Sequence, residues 1–189
     1  MRVVLVNASP RRKKSVSYAL MERFFPYLKN EEYGILEVNE EMDEKLAEAA
    51  VNAGDVIIIF APVYNGSLPS SLIAFLELLD YKLKKRIRLG AVVHSASIDP
   101  ASTELSLRLL KYWCEKSGCA WIGGIGISKA EILRRLTIFN NGRGPVKQIH
   151  DLYMDLARSM HTGIGRESYF SIGVPDWLYR SYLRRKTDQ

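Results

Sequence analysis

Three stretches of the chain are unbroken runs of apolar, largely β-branched residues: Arg2 to Asn7 (RVVLVN), Asp55 to Phe60 (DVIIIF) and Leu89 to His94 (LGAVVH). Runs of this kind suit strands buried on both faces, and that burial requires helices on both sides of a mostly parallel sheet. Trp121 to Ile127 (WIGGIGI) is a fourth run, interrupted by three glycines, and Gly34 to Val38 is a fifth, short and part-charged. Between the runs the pattern changes to helical period. Ser15 to Leu28 spaces Leu20, Phe24 and Leu28 by four residues, with Pro26 interrupting near its end. Met42 to Ala53 is a second helix, and Leu68 to Leu79 a third with Leu72, Phe75, Leu76 and Leu79 on one face. Thr103 to Lys116 does the same with Leu105, Leu109, Leu110 and Trp113, and Pro145 to Met160 closes the series with a proline suited to a first turn. Strict alternation of five strands and five helices predicts a doubly wound α/β domain. Ligands of such sheets sit outside the carboxyl ends of the strands, near the point where strand order reverses. The loops after Asn7, Phe60 and His94 are therefore the places to look for chemistry.

Composition narrows the class. At 189 residues the chain is one domain, and 47% hydrophobic with 25% charged residues is ordinary globular usage. No apolar run approaches the roughly 18 residues that span a bilayer. The opening MRVVLVNASPRRKK places its cations after its apolar residues, the reverse of a signal peptide, so a cytoplasmic protein with no membrane partner is expected. Cys114 and Cys119 lack the spacing of a redox or zinc pair and read as core thiols. No grouping of His, Cys, Asp and Glu suggests a metal site. The net charge of +6 favours anionic partners. Its cations cluster at 11–14, 82–88, 134–135 and 184–186.

The first loop, Ala8-Ser9-Pro10-Arg11-Arg12-Lys13-Lys14-Ser15-Val16-Ser17, leads hydroxyls and cations into a helix. Free N–H groups and the positive end of the helix dipole make such a junction a phosphate site, to which Ser9, Ser15, Ser17 and Arg11 add donors. The plainer reading is a solvated basic turn with Ser15 as N-cap. Neither a P-loop nor a dinucleotide glycine fingerprint is present. In the second loop, Pro62-Val63-Tyr64-Asn65-Gly66, a flat heteroaromatic fits against Val63, Tyr64 and the nearby Leu68, while the alternative is a turn with a packed tyrosine. In the third, Ser95 and Ser97 are hydroxyl donors. His94 either acts beside a bound ring or ends a buried strand paired with a backbone carbonyl. His150 and His161 read as surface or packing residues.

Together the first two loops resemble the NADPH-dependent FMN reductase and quinone reductase family of the flavodoxin-like fold. VNASPRRKKSVS stands where that family has a strand ending in GSPR or GSxR and small hydroxyl residues. APVYNGSLPSSLIAFLELLD stands where it has PxYN, a proline and an LKxFLD-like helix, about 50 residues further on. The likeness in element order covers residues 1 to 125. Ala8 replaces the usual glycine, a tolerable change, and Val16 replaces a frequent hydroxyl residue, which removes one possible phosphate contact; Ser70 or Ser71 falls where lysine or a small residue is common. The resemblance implies a flavodoxin-like domain over 1–164 with a five-stranded parallel sheet in the order 2-1-3-4-5, and a C-terminal extension, 165–189. It implies FMN held by Ser9, Arg11, Ser15 and Ser17 at its phosphate and by Pro62, Val63, Tyr64, Asn65 and Gly66 at its ring, with Ser95 and Ser97 on the other side. His94 and Tyr64 are then modulators, and no protein residue carries the chemistry.

The activity implied is hydride transfer from NADPH or NADH through FMN to a quinone, free flavin or similar small acceptor in a ping-pong cycle. A homodimer or higher homo-oligomer is implied as well. Two competitors stand beside it. A flavodoxin-type electron carrier shares the fold and cofactor, but such carriers are typically acidic. A basic nucleotide- or nucleic-acid-binding module would interleave aromatics with cations, as WLYRSYLRRK (Trp177 to Lys186) partly does. That segment also reads as an amphipathic helix packing on a second subunit, and the extension as a cover for the site through Tyr169, Phe170, Trp177 or Tyr179.

Overall fold

Alternate residues of the central strands enter two separate apolar clusters, as a sheet covered on both faces requires. In β1 (Arg2–Asn7), Val3 and Leu5 join one cluster while Val4 and Val6 join the other. The computed structural model describes residues 1–83, 85–136 and 140–187; Lys84, one cation of the 82–88 cluster, lies outside them. The remaining strands are β2 (Glu32–Glu37), β3 (Val56–Pro62), β4 (Arg88–His94), β5 (Ala120–Ser128) and β6 (Glu167–Ser171). All pairings are parallel, in the order β2-β1-β3-β4-β5-β6. The helices are α1 (Val16–Phe24), α2 (Glu44–Ala53), α3 (Ser70–Lys82), α4 (Glu104–Lys116), α5 (Gln148–Thr162) and α6 (Asp176–Thr187). Buried residues of α1 and α5 pack on one face, and those of α2, α3 and α4 on the other. The flavodoxin-like doubly wound fold is thus as expected.

Local chemistry sets the element ends. The Ser15 hydroxyl accepts from the Tyr18 amide at 3.0 Å and starts α1, and Pro26 turns its end into a 3-10 segment. Asp43 caps α2 by accepting from the Lys45 and Leu46 amides, so that helix begins two residues later than its periodicity predicts. In β5, Gly126 gives the turn before α4 room to pack: a Cβ there would lie 2.1 Å from the Thr103 hydroxyl oxygen.

Two expectations are corrected. The sheet has six strands, not five. The sixth, Glu-Ser-Tyr-Phe-Ser, lies at the sheet edge and buries only Phe170 fully, so it lacks the apolar run that marks a central strand. In α4 the core face is Leu107, Leu110 and Cys114, whereas Leu105 and Leu109 of the expected face lie exposed beside Tyr112. The helix carries two apolar stripes, and periodicity alone does not choose between them.

The C-terminal extension packs on its own chain. Phe170, Ile172, Val174 and Tyr179 are buried, and Trp177 is left exposed. Lys129, in the left-handed region at φ 55°, donates from Nζ to the Val174 carbonyl at 2.8 Å and pairs with Asp176 at 2.6 Å. Full burial of one large apolar side chain stabilises by roughly 1.5–3 kcal/mol, and a whole domain is stable by only about 5–15 kcal/mol. Deleting residues 165–189 is therefore expected to abolish the cooperative thermal transition. An unchanged melting midpoint in the truncated protein would refute this.

Candidate functional site

Three loops meet at the carboxyl edge of the sheet. The first turns tightly after β1. The Arg12 amide donates to the Ser9 carbonyl, Lys14 to Arg11 and Ser15 to Arg12, at 2.9 to 3.1 Å, with Arg12 itself at φ 49°. α1 follows directly. Its first-turn amides at Val16 and Ser17 have, by position, no acceptor within the helix. Around them stand the buried hydroxyls of Ser9 and Ser15 and the exposed cations of Arg11, Arg12, Lys13 and Lys14. Arg12 pairs with Glu41. A second carboxylate, Glu37, accepts from the Asn7 side-chain amide at 2.8 Å. Burial raises its pKa, while that hydrogen bond and the charges of Lys13 and Arg12 pull it back. The residue type at the end of a weak strand gave no sequence signal for Glu37.

The second loop is a two-residue reversal. The Tyr64 amide donates to the Ser67 carbonyl and the Ser67 amide to Tyr64, both at 2.9 Å, with Asn65 at φ 50° and Gly66 at φ 80° between them. Asn-Gly is the pair that tolerates two successive positive φ angles. The Val63 amide donates to the His94 carbonyl at 2.7 Å, which ties this loop to the third. In the third, the Ser95 and Ser102 hydroxyls lie 2.6 Å apart, and the Ser97 hydroxyl accepts from the Asp99 amide at 3.0 Å. The segment after β5 braces it: the Lys129 amide donates to the Ser97 carbonyl and the Ala130 amide to Ser95. The Tyr179 hydroxyl of α6 donates to the Ala96 carbonyl at 2.9 Å. Burial holds the Tyr179 pKa above its ordinary value, so the hydroxyl stays a donor.

Val63, Tyr64, Asn65 and Gly66 face Ser95 and Ser97 across a cavity of about 500 Å³ that Ala96 and Ser102 also line. The structure thus brings together six of the residues read from sequence, while Pro62 is buried at the end of β3 beside His94 and does not line the cavity. Ser70 and Ser71 open α3. Ser17 is fully buried, and its hydroxyl lies 2.8 Å from His94 Nε2. The expected backbone-carbonyl partner of His94 is replaced by this hydroxyl, because α1 packs over the end of β4. Burial lowers the His94 pKa to about 4 against the opposing effect of Glu131, so the ring is neutral at pH 7. His150 meets the Tyr27 hydroxyl at 3.0 Å, and His161 lies 3.4 Å from Glu31, both outside the site. Among the described residues no cluster of three or more His, Cys, Asp or Glu side chains is placed to hold a metal ion.

Among the described residues, none that lines the cavity bears a carboxylate, an imidazole or an ammonium group. Its hydroxyls, amides and aromatic ring suit a flat, polar-edged ring system. The cationic loop and helix terminus at the same sheet edge suit a phosphate. The donor set therefore fits FMN. The sequence model of the NADPH-dependent FMN reductase family matches residues 1–114, which contain all three loops. The chain belongs to this family.

Solved structures extend the likeness in fold beyond residues 1–114. An NADH:FMN oxidoreductase in its apo form superposes with a TM-score of 0.65 at 15% identity, covering 87% of this chain and 90% of that one. An NADPH-quinone reductase from P. pentosaceus gives 0.60 at 17% identity, covering 83% and 98%. Oxidised flavodoxin 1 from Bacillus cereus gives 0.61 at 12% identity, covering 86% and 98%. No curated protein matches the sequence.

Proposed function

We propose that the protein is an FMN-dependent NAD(P)H oxidoreductase that reduces a quinone, free flavin or similar small acceptor in two half-reactions at one site. The observation that carries this reading is the uncharged cavity between the Asn65–Gly66 turn and the Ser95–Ser97 loop, beside a cationic helix terminus. FMN, when bound, supplies the hydride chemistry. The chain's part is to hold and shield it. The Val16 and Ser17 amides, the Ser9 and Ser15 hydroxyls and Arg11 bind the phosphate. The turn fixes one side of the ring, and Tyr64, half exposed at 50%, stands where donor and acceptor enter. Ser95 and Ser97, which line the same cavity, would offer hydroxyls to the ring's polar edge. His94, neutral and tied to Ser17, holds α1 against β4 rather than moving a proton.

The exposed stripe Leu105, Leu109 and Tyr112 on α4 is the surface proposed for homodimer contact. A cytoplasmic location fits two free, buried cysteines. No described helix is long and apolar enough to cross a membrane.

Anaerobic addition of NADPH to the FMN-loaded protein is expected to bleach the visible flavin band, and a quinone to restore it. Steady-state data should then give parallel double-reciprocal lines. Flavin that is retained but ignores both NADPH and NADH would instead identify an electron carrier.

A further inference from the structure

We propose that Cys114 and Cys119 form a peroxide-reactive dithiol, a modification site at which Cys119 is oxidised first and Cys114 closes an intramolecular disulfide on it. The proposal is independent of the flavin reading. Four residues separate the two cysteines, a spacing without redox meaning in an extended chain, and the end of α4 removes that separation. Gly118 takes φ 72°, a left-handed conformation that reverses the chain, and the Cys119 amide donates to the Cys114 carbonyl at 2.9 Å. This is the six-residue closure of a helix C-terminus, which sets the side chains at its two ends against each other. The Cα atoms of residues joined by a bond of that length are at most about 6.8 Å apart, within the span a disulfide closes.

The two thiols are not equivalent. Both belong to the apolar cluster between α4 and the sheet, but Cys114 is fully buried while Cys119 keeps 7% of its surface exposed. They share a hydrogen bond, which raises the Cys114 pKa, with burial adding to the rise, and lowers that of Cys119. The Ile87 amide and the Arg86 guanidinium lower Cys119 further, against burial and the Asp80 carboxylate. The reactive species of a cysteine is its thiolate, so the more acidic and more accessible Cys119 is the nucleophile and Cys114 the resolving thiol.

Attack by the Cys119 thiolate on hydrogen peroxide forms an S–O bond and breaks the O–O bond, releasing hydroxide and leaving a sulfenic acid. The Cys114 sulfur then attacks the Cys119 sulfur. The S–S bond forms, the S–O bond breaks, and the Cys114 proton leaves with the oxygen as water. Two thiols and one peroxide become a disulfide and two waters, each sulfur supplying one of the two electrons. A small hydroperoxide fits the narrow exposure of Cys119, and a bulky disulfide oxidant does not. Cys119 stands immediately before β5, at the amino edge of the sheet, whereas the three loops of the FMN site lie at the carboxyl edge. Oxidation of the pair is therefore separable from flavin binding.

The test exposes the reduced, full-length protein to a small excess of hydrogen peroxide, followed by alkylation under denaturing conditions and measurement of intact mass. The two free cysteines take two alkyl groups before oxidation. Afterwards they should take none, the mass should fall by two hydrogen atoms, and a peptide map should join Cys114 to Cys119. Dithiothreitol should restore both thiols. In Cys114→Ala the reaction should stop at a dimedone-trappable sulfenic acid on Cys119, and in Cys119→Ala thiol loss should be at least about tenfold slower. Thermal melts establish that both variants are folded, and the wild-type peptide map decides the matter if either is not. Thiols inert to peroxide in the folded protein, sulfinic acid at Cys119 with Cys114 left free, or disulfide-linked dimers would each overturn the proposal.

Discussion

Replacing Ser15 by aspartate is expected to remove FMN binding while leaving the fold intact. Ser15 caps α1 through its hydroxyl, which accepts from the Tyr18 amide. Aspartate is an equally good N-cap, and its charge is favourable at the positive end of the helix dipole. Ser15 is also buried and its hydroxyl donates to Asn7 Oδ1 at 3.5 Å, a contact aspartate loses, so the protein should stay folded with a stability loss of up to about 3 kcal/mol. The same carboxylate, however, faces the space in which the phosphate is held by the first-turn amides. Two like charges about 5 Å apart at an effective dielectric constant of about 20 repel by about 3 kcal/mol, and a dianion by more. That is a loss of affinity of more than about a hundredfold. Fluorescence titration of FMN, with thermal unfolding of the same samples, checks both halves. An unchanged dissociation constant in a folded Ser15→Asp protein would remove the first loop from the phosphate site.

His94 should make the fold sensitive to acid. Its folded-state pKa is about 4, against about 6.5 for an exposed histidine, because burial penalises the charged ring. Above pH 6.5 both folded and unfolded chains hold it neutral, and its contribution to stability is complete. As pH falls from about 6.5 to about 4, the unfolded chain takes up a proton that the folded chain resists, so stability declines. The separation of the two values corresponds to a loss of about 3 kcal/mol, complete below pH 4. Urea denaturation at a series of pH values should show this slope in the wild type. His94→Gln, which keeps a polar group near Ser17, should flatten it. Parallel pH profiles for the two proteins would assign the acid sensitivity elsewhere.

How far the sequence was legible depended on whether the deciding interaction was local. β1, β3 and β4 were readable because burial on both faces forces continuous apolar runs; the second loop was readable as a turn, while its two-residue reversal with positive φ at Asn65 and Gly66 came from the structure. Ser15 as an N-cap is likewise a contact between neighbours. β6 was not readable, since an edge strand with one buried residue looks like any polar loop. The stripe of α4 that reaches the core was chosen by the sheet, not by the helix. The pairing of Ser17 with His94 joins residues 77 apart, and the clamp of Tyr179 on Ala96 joins residues 83 apart. Both arise from which elements the topology lays side by side. For the same reason, WLYRSYLRRK read as a surface for a partner. In the structure one face of that helix closes over its own third loop through Tyr179.

The most direct test of the account is equilibrium retention of FMN. The purified protein, incubated with excess FMN and passed through a desalting column, should carry one flavin per chain. FMN that elutes entirely in the small-molecule fraction from a folded protein would contradict the assignment of the three loops as its site.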